Sequence, residues 1–291
     1  ASSNSDTAVA IDKSRPAPIY LRTASVLPYN RGVKLEWEET NDKSAASYHV
    51  YRKAPSEDDF SLVEKTTTTQ MRFDDHIDLA NPKEYCYRVA VEDVCGNVGD
   101  LSNDGCIMVL TGGNLKRANS LKWNEYGQWQ DSIKEYEIYR SIDSSGWMYL
   151  TTVENRIRTY VDSSLNDTFM TYCYRIRAVE EKGGFHEASW STILCVTQEP
   201  LIYIPSAFSP EYSAGINDNF GPQGAFVPDD YTMKIYNRWG QRVFQTNDGD
   251  TWDGTMLGGD YVPVGVYVYY IRLTTMNGEV YERTGNIKVI R

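Results

Sequence analysis

The side chains in this sequence that could cleave, transfer or coordinate are few and scattered. His49, His76 and His186 lie far apart in the chain. None has an obvious Ser or Cys partner, and no Gly-x-Ser-x-Gly elbow exists, so acyl transfer of the Ser–His kind lacks its parts. Structural or solvent-exposed roles are expected for all three histidines. Cys95, beside Gly96, is the one arguable nucleophile. A loop thiol with no nearby His in sequence is expected to be inert or disulfide-bonded. Carboxylates pair at Asp74-Asp75, Asp229-Asp230 and Asp248-Gly249-Asp250. Such pairs serve calcium binding or glycoside hydrolysis, yet Asp and Gly also gather in solvated turns for backbone reasons, and turns are the expectation here. Trp129, Trp147 and Trp190 are material for a sugar-stacking platform, against the plainer role of packing on the fold. No catalytic residue, metal or cofactor is expected.

Cys86, Cys95, Cys106, Cys173 and Cys195 form no Cys-x-x-Cys motif, so spacing favours structural disulfides made in an oxidising compartment. The strands that carry them set the pairing. In Tyr85-Cys86-Tyr87-Arg88-Val89, period-2 alternation sends Tyr85, Tyr87, Val89 and Val91 to one face, and Cys86, Arg88 and Ala90 to the other. Cys86 and Cys173 therefore point away from the core on penultimate strands. Partners belong on each final strand, because facing residues of neighbouring strands lie within disulfide reach. Cys195 suits Cys173. Cys86 has two candidates, Cys106 on the last strand and Cys95 in the preceding loop; Cys86–Cys106 is the expectation, with Cys95 free.

These strands occur twice. Leu35-Glu36-Trp37 matches Leu121-Lys122-Trp123, Tyr48-His49-Val50-Tyr51-Arg52 matches Tyr136-Glu137-Ile138-Tyr139-Arg140, and Tyr85-Cys86-Tyr87-Arg88-Val89 matches Tyr172-Cys173-Tyr174-Arg175-Ile176, at offsets of 86 to 88 residues. A repeat of that length is one small β-sandwich, not a solenoid turn. The order of elements resembles the fibronectin type III module: an early strand with a buried Trp, a middle Tyr-x-aliphatic-Tyr-Arg strand, then a Leu (Leu79, Leu165) shortly before a late strand opened by Tyr (Tyr85, Tyr172). The resemblance implies that Tyr85 and Tyr172 are tyrosine corners, whose hydroxyls bond a nearby backbone group. Thr111-Gly112-Gly113 and Gln198-Glu199-Pro200 read as short linkers, and a semi-rigid arrangement with limited swivel at Gly112-Gly113 is expected. No stretch shows capped helical periodicity, though Glu57-Asp58-Asp59-Phe60 has room for one turn.

The last ninety residues differ from the repeats. Met233 to Phe244 alternates apolar residues on either side of Asn237-Arg238-Trp239-Gly240-Gln241, a hairpin. Tyr267, Tyr269, Ile271 and Leu273 share a strand face, and Asn277-Gly278 supplies the positive-φ pair of a second hairpin. In order come Ile-Pro-Ser-Ala-Phe-Ser-Pro (204–210), Gly-Ile-Asn-Asp (215–218), Ile-Tyr-Asn-Arg-Trp-Gly-Gln (235–241), Trp-Asp-Gly (252–254), Gly-Val-Tyr-Val-Tyr (265–269) and Gly-Asn-Ile-Lys-Val-Ile-Arg (285–291). This series resembles the gliding-motility-associated C-terminal domain, the type B sorting domain of proteins exported by the type IX secretion system of Bacteroidota. Where that family reads Pro-Asn-Gly-Asp-Gly-Ile-Asn-Asp, this chain has Pro-Glu-Tyr-Ser-Ala-Gly-Ile-Asn-Asp, which removes an acid from the loop and argues against a metal at Asp218.

Composition agrees with a β protein: 22 Tyr, 41% hydrophobic and 13% aromatic residues. A net charge of −11 argues against a nucleic-acid partner and against docking on an anionic membrane. No apolar run approaches the ~18 residues of a membrane span, so no membrane insertion is expected. Ala1 to Thr7 lacks the charged start and apolar core of a signal peptide, and a C-terminal fragment of a larger surface protein, monomeric by itself, is the expectation. The expected organisation is all-β, three consecutive immunoglobulin- or fibronectin-like β-sandwiches: a flexible segment 1–15, modules 16–112 and 113–200, and a sorting domain 201–291. The resemblance implies recognition by the outer-membrane type IX translocon and its shuttle proteins, and exposure at the cell surface or release. Asn237, Arg238, Trp239 and Gly240 at the hairpin turn are candidate partner contacts. Lys288, Val289, Ile290 and Arg291 are candidates too, because a final strand at a sheet edge is open to β-augmentation.

Overall fold

The computed structural model describes residues 14–290, apart from 116, 128, 130–131, 166–170, 182–186, 199–201, 211–216, 225–229, 257–258 and 275–279. Strands account for all the long regular elements, and the described residues contain no α-helix, only a three-residue 3₁₀ turn at Pro28–Asn30. The chain divides into two compact units, the first made of residues up to Ser164 together with Thr171–Thr197, and the second of Leu165–Met170 together with Gln198–Arg291.

The first unit holds both repeats. In the first sandwich, β1 (Leu21–Val26), β2 (Val33–Trp37) and β5 (Arg72–Asp75) form one sheet, and β4 (Ser61–Thr67), β3 (Ala45–Lys53), β6 (Cys86–Asp93) and β7 (Gly105–Cys106) form the other. The second repeats this plan: β12 (Thr159–Asp162), β9 (Asn119–Trp123) and β8 (Leu110–Asn114) face a sheet of β11 (Met148–Glu154), β10 (Ile133–Ile142), β13 (Thr171–Glu180), β14 (Ala188–Trp190) and β15 (Leu194–Thr197). Alternation along β13 buries every second residue, from Tyr172 to Glu180. Trp37 packs edge-on against Tyr48 at 5.6 Å, and Trp123 against Tyr136 at 5.7 Å. Disulfides join Cys86 to Cys106 and Cys173 to Cys195 across paired strands, and Cys95 is free and exposed.

One polar clamp spans the two sheets of each sandwich. Asp75 on β5 accepts hydrogen bonds from Arg52 on β3 (2.7 Å) and Tyr87 on β6 (2.9 Å). Asp162 on β12 accepts the same pair from Arg140 on β10 and Tyr174 on β13, each at 2.8 Å. The hydroxyl that joins this clamp belongs to Tyr87 and Tyr174, and its acceptor is a carboxylate. Tyr85 and Tyr172, expected as tyrosine corners, lie two residues earlier; Tyr85 is half-buried, and Tyr172 is fully buried with the Arg140 guanidinium 5.7 Å from its ring centre. Burial opposes ionisation of Asp162, but bonds from Ser164, Arg140 and Tyr174 outweigh it and hold the carboxyl below the usual range. Asp75 is consumed by this clamp, which removes the Asp74-Asp75 pair from the candidate metal or catalytic acids.

The junction between the sandwiches is not a linker. Gly112 and Gly113 lie inside β8, which pairs with β9 along its whole length, so the boundary expected at 112/113 falls within a strand of the second sandwich. Gly112 is required there: it has φ +157, and a side chain would strike the Ser120 carbonyl. Swivel is blocked by a second feature. β1 is an edge strand, and side chains of the second sandwich occupy its open side. Ala24 N–H donates to the Tyr126 hydroxyl (3.0 Å), its carbonyl accepts from Ser189 Oγ (2.9 Å), and the Arg22 carbonyl accepts from Trp129 Nε1 (2.9 Å). Asn30 adds a two-way pairing with the backbone of Ile193, and Arg22 pairs with Glu187. The two repeats thus form one compact unit.

In the second unit, β17 (Ala207–Phe208), β22 (Val280–Val289), β21 (Gly265–Thr274), β19 (Asp230–Tyr236) and β20 (Arg242–Thr246) form a five-stranded sheet in that order. A short pair, β16 (Ile202–Tyr203) with β18 (Gln223–Gly224), and the bridge between Phe220 and Trp252 supply the facing layer. Between them sits an aromatic hub around Trp252, whose ring lies 5.2 Å from Phe208 and 5.5 Å from Tyr267. Its Nε1 donates to the Thr255 carbonyl at 2.8 Å. Gly254 turns the chain at φ +84 where a Cβ would meet the Pro210 ring at 2.8 Å, so the Trp-Asp-Gly and Phe-Ser-Pro motifs are halves of one packing arrangement.

Three outcomes are expected. Asp162→Ala, which strips Arg140 of its carboxylate partner, should lower unfolding free energy by about 3–5 kcal/mol, and Tyr174→Phe by about 1 kcal/mol, in denaturant titrations. Acid should act through carboxylates whose charged form the fold favours. Glu92 is held down to about 2 by hydrogen bonds from Ser47 and His49, and Asp162 is also depressed. Their stabilisation is complete above the unfolded carboxylate range near ~4 and is lost as pH falls below it toward the folded values. Glu92→Gln should therefore flatten the acid limb of a melting-temperature profile, and an unchanged profile would refute this assignment. In the second unit, Trp252→Ala should cost about 3–5 kcal/mol, read by loss of near-ultraviolet dichroism.

Candidate functional site

The chemistry-bearing residues of the first unit are taken up by structure. His49 is only 4% exposed; its Nε2 lies 2.8 Å from Glu92, which also accepts from Ser47 Oγ at 2.7 Å. His76 is exposed, and His186 lies outside the described residues. Asp93 accepts from the backbone N–H groups of Cys95 and Asn97 and so shapes the turn that carries the free thiol. The three tryptophans form no open platform. Trp129 is buried with its Nε1 committed to Arg22. Trp147 and Trp190 hold the Arg175 guanidinium at 4.5 and 3.8 Å from their ring centres. A cation on the ring face takes the surface that a sugar would need. Burial here pushes Arg175 below its ordinary pKa. Asp248 and Asp250 are exposed, Asp229 lies outside the described residues, and among the described residues no cluster of three or more His, Cys, Asp or Glu side chains could hold a metal ion.

The second unit presents a different kind of site. The hairpin between β19 and β20 turns on Asn237. Its Oδ1 accepts from the N–H groups of Trp239 and Gln241, both at 3.0 Å, while its own N–H donates to the Gln241 carbonyl at 2.9 Å. Gly240 closes the turn at φ +78, a conformation that favours glycine. This rigid frame holds Trp239 82% exposed, with the Arg238 guanidinium 5.7 Å from the ring centre. Asn237 and Gly240 are thus framing residues, and Arg238 and Trp239 are the side chains displayed. Trp239 borders an apolar groove shared with Val243, Met256, Val264 and Val266.

The end of the final strand is not a free edge: Lys288 N–H donates to the Ser206 carbonyl and Ile290 N–H to the Phe208 carbonyl, each at 3.0 Å, so the two-residue β17 runs parallel alongside the last residues of β22. The backbone groups needed for β-augmentation at 288–290 are already paired. Val289 is fully buried and cannot touch a partner, whereas Lys288 and Ile290 keep exposed side chains; Arg291 lies outside the described residues. Proline at 288 would break the bond to Ser206, so loss of function there would report unfolding as well as contact.

Tyr267, Tyr269, Ile271 and Leu273 form the core face of β21, and the residues between them form its opposite face. Val264, Val266 and Val268 stand there in alternation, and all three are exposed. The signal was present as the complementary half of the same period-2 pattern.

Comparison with known proteins bears on the second unit. Residues 202–289 match the CHU_C type IX secretion signal domain. No curated protein sequence matches the chain. Among solved structures, the chain is similar to the FN1–FN3 domains of chicken CNTN1, at 14% identity over 95% of this chain and 99% of that one, with a TM-score of 0.25. It is similar to a tetra-tandem repeat from the extending region of a large adhesion protein, at 11% identity over 94% and 74%, with a TM-score of 0.32. It also matches pectate lyase PelI from Erwinia chrysanthemi at 19% identity and a TM-score of 0.27, where 31% of this chain covers 28% of the lyase. At these TM-scores the superpositions carry no functional argument. The ordered motifs, the sheet they build and the match over residues 202–289 lead to one conclusion: the terminal part of this chain is a type IX secretion signal domain, and the chain is marked for export.

Proposed function

We propose that residues 201–291 are a folded export address, read by the outer-membrane type IX translocon and its shuttle proteins, and that the two sandwiches before it, the second beginning with β8 at Leu110, are a spacer carried with it. The observation that carries this is the match of residues 202–289 to a secretion signal domain. The display of Trp239 on a turn locked by Asn237 supports it, because a large exposed aromatic on a rigid frame suits the centre of a contact surface. In this reading the chain acts without catalysis, at the cell surface or released from it, in the company of gliding or adhesion proteins. The disulfides fit that destination, since such bonds persist outside the cytoplasm.

The test is export of the whole chain behind a signal peptide and a fluorescent reporter, in a type IX-competent host and in a translocon mutant. Reporter at the surface or in the medium of the competent host alone is the expected result. A chain ending at Thr197 should stay in the periplasm; its export at the parental level would overturn the proposal. Trp239→Ala should keep the parental melting temperature and lower export about tenfold or more.

A further inference from the structure

The sheet of the second unit has one face on the aromatic hub and one face that carries no layer among the described residues. On β21 the open face shows Val266, Val268 and Tyr270, with Val264 one step ahead of the strand. Val264 is 52% and Val266 56% exposed. The register extends the stripe sideways: Val268 lies opposite Tyr236 of β19, and Tyr236 leads into the turn that displays Trp239. High β-propensity alone accounts for one or two exposed valines in a strand. It does not account for three in succession, continued by an exposed tryptophan, in the middle of a sheet.

The charges around this stripe have one predominant sign. Lys288 faces Val266 across one pairing, Lys234 faces Tyr270 across another, with its Nζ 6.0 Å from the ring centre, and Arg238 stands over Trp239. None of the three forms an ion pair among the described residues; every ion pair found there lies in the first unit. Among the described side chains Glu282 is an acid on this face, directly across from Arg272 and bonded to Tyr270. Asp248, Asp250, Asp253 and Asp260 stand instead in the exposed loops between β20 and β21. In a chain of net charge −11, an apolar stripe bordered by cations with no ion pair among the described residues is a segregated surface.

Building on the export reading, we propose that this open face, from Trp239 through Val266 and Val268 to Lys288, is the surface that docks on the export machinery, and that its partner is a protein surface of apolar side chains bordered by carboxylates. A second copy set face to face would place Lys234 and Lys288 against cations of the same kind. An anionic membrane would meet the acidic loops of a strongly acidic chain. Apolar contact then supplies affinity, and the cations supply orientation and partner choice.

The experiment uses the full chain in the export assay above. The triple variant Lys234→Glu, Arg238→Glu, Lys288→Glu is compared with Lys43→Glu, Lys83→Glu, Lys122→Glu, which changes net charge equally at exposed cations of the first unit. The face variant should lose about tenfold or more of export, with an unchanged melting temperature, while the control exports as the parent. Equal export of the two variants would overturn the surface assignment while leaving the export reading intact; the Thr197 truncation alone decides that reading. If the face variant is unstable, a photo-crosslinker at Val266 in the otherwise parental chain decides. An adduct with an outer-membrane component of the secretion machinery, absent from the translocon mutant, supports the proposal. An adduct of twice the chain mass, an adduct with lipid alone, or no adduct during active export overturns it.

Discussion

Two backbone hydrogen bonds, from Lys288 to Ser206 and from Ile290 to Phe208, tie the beginning of the terminal unit to its end. Much else in that unit depends on them. They lay β17 beside β22 and so cover the side of the final strand that would otherwise stand open at 288–290. They also bring Phe208 under the ring of Trp252, and Pro210 against Gly254. Motifs some eighty residues apart in the sequence are therefore neighbours in one packed arrangement. With the end of that strand covered at 288–290, the open face of the sheet and the turn at Trp239 become the natural places for recognition.

The first unit solves the same closure problem with charge. A sandwich needs its two sheets tied at the ends as well as packed in the middle. Here a carboxylate on one sheet receives an arginine and a tyrosine from the other, once per repeat. A buried ion pair is weak evidence of net stability, because desolvation opposes attraction. Its value is in fixing geometry: Asp162 has its oxygens directed to Arg140, Tyr174 and Ser164, which leaves one register for the three strands concerned. The junction between the repeats follows the same economy of edges. β1 lends its open backbone groups to Tyr126, Trp129 and Ser189, so two modules become one unit.

How much of this the sequence discloses depends on the range of the interaction. Period-2 alternation is local, and it shows the strands, the outward cysteines and the repeat at a glance. The hydroxyl partner is not local. Tyr85 and Tyr87 alternate onto the same face, and only the position of Asp75 on another sheet decides which hydroxyl is buried. Gly112-Gly113 reads as a hinge because glycine is the commonest loop signal, yet here glycine admits the Ser120 carbonyl into a strand pairing. The edge at 288–290 looked free because β17 has two residues, too short for any periodicity to reveal. The tryptophans of the second repeat suggested a platform by count alone; Arg175 lies between two of them only once β13 and β14 are paired.

The secretion motifs divide by physical duty, and the division separates folding from recognition. Phe208, Trp252 and Gly254 are buried and each touches another motif residue. Asn237 and Gly240 are exposed, but each has a conformational task in the turn. Their presence says that the domain folds, and nothing about what it meets. Trp239 is the exception. It packs in no core, its indole is not needed for the Asn237 turn, and its ring is left to solvent apart from the guanidinium beside it. An exposed indole carries a desolvation benefit that is realised only when something covers it. Its chemistry is unused by the fold, and the valine stripe running from it across β21 gives that chemistry a surface of matching character.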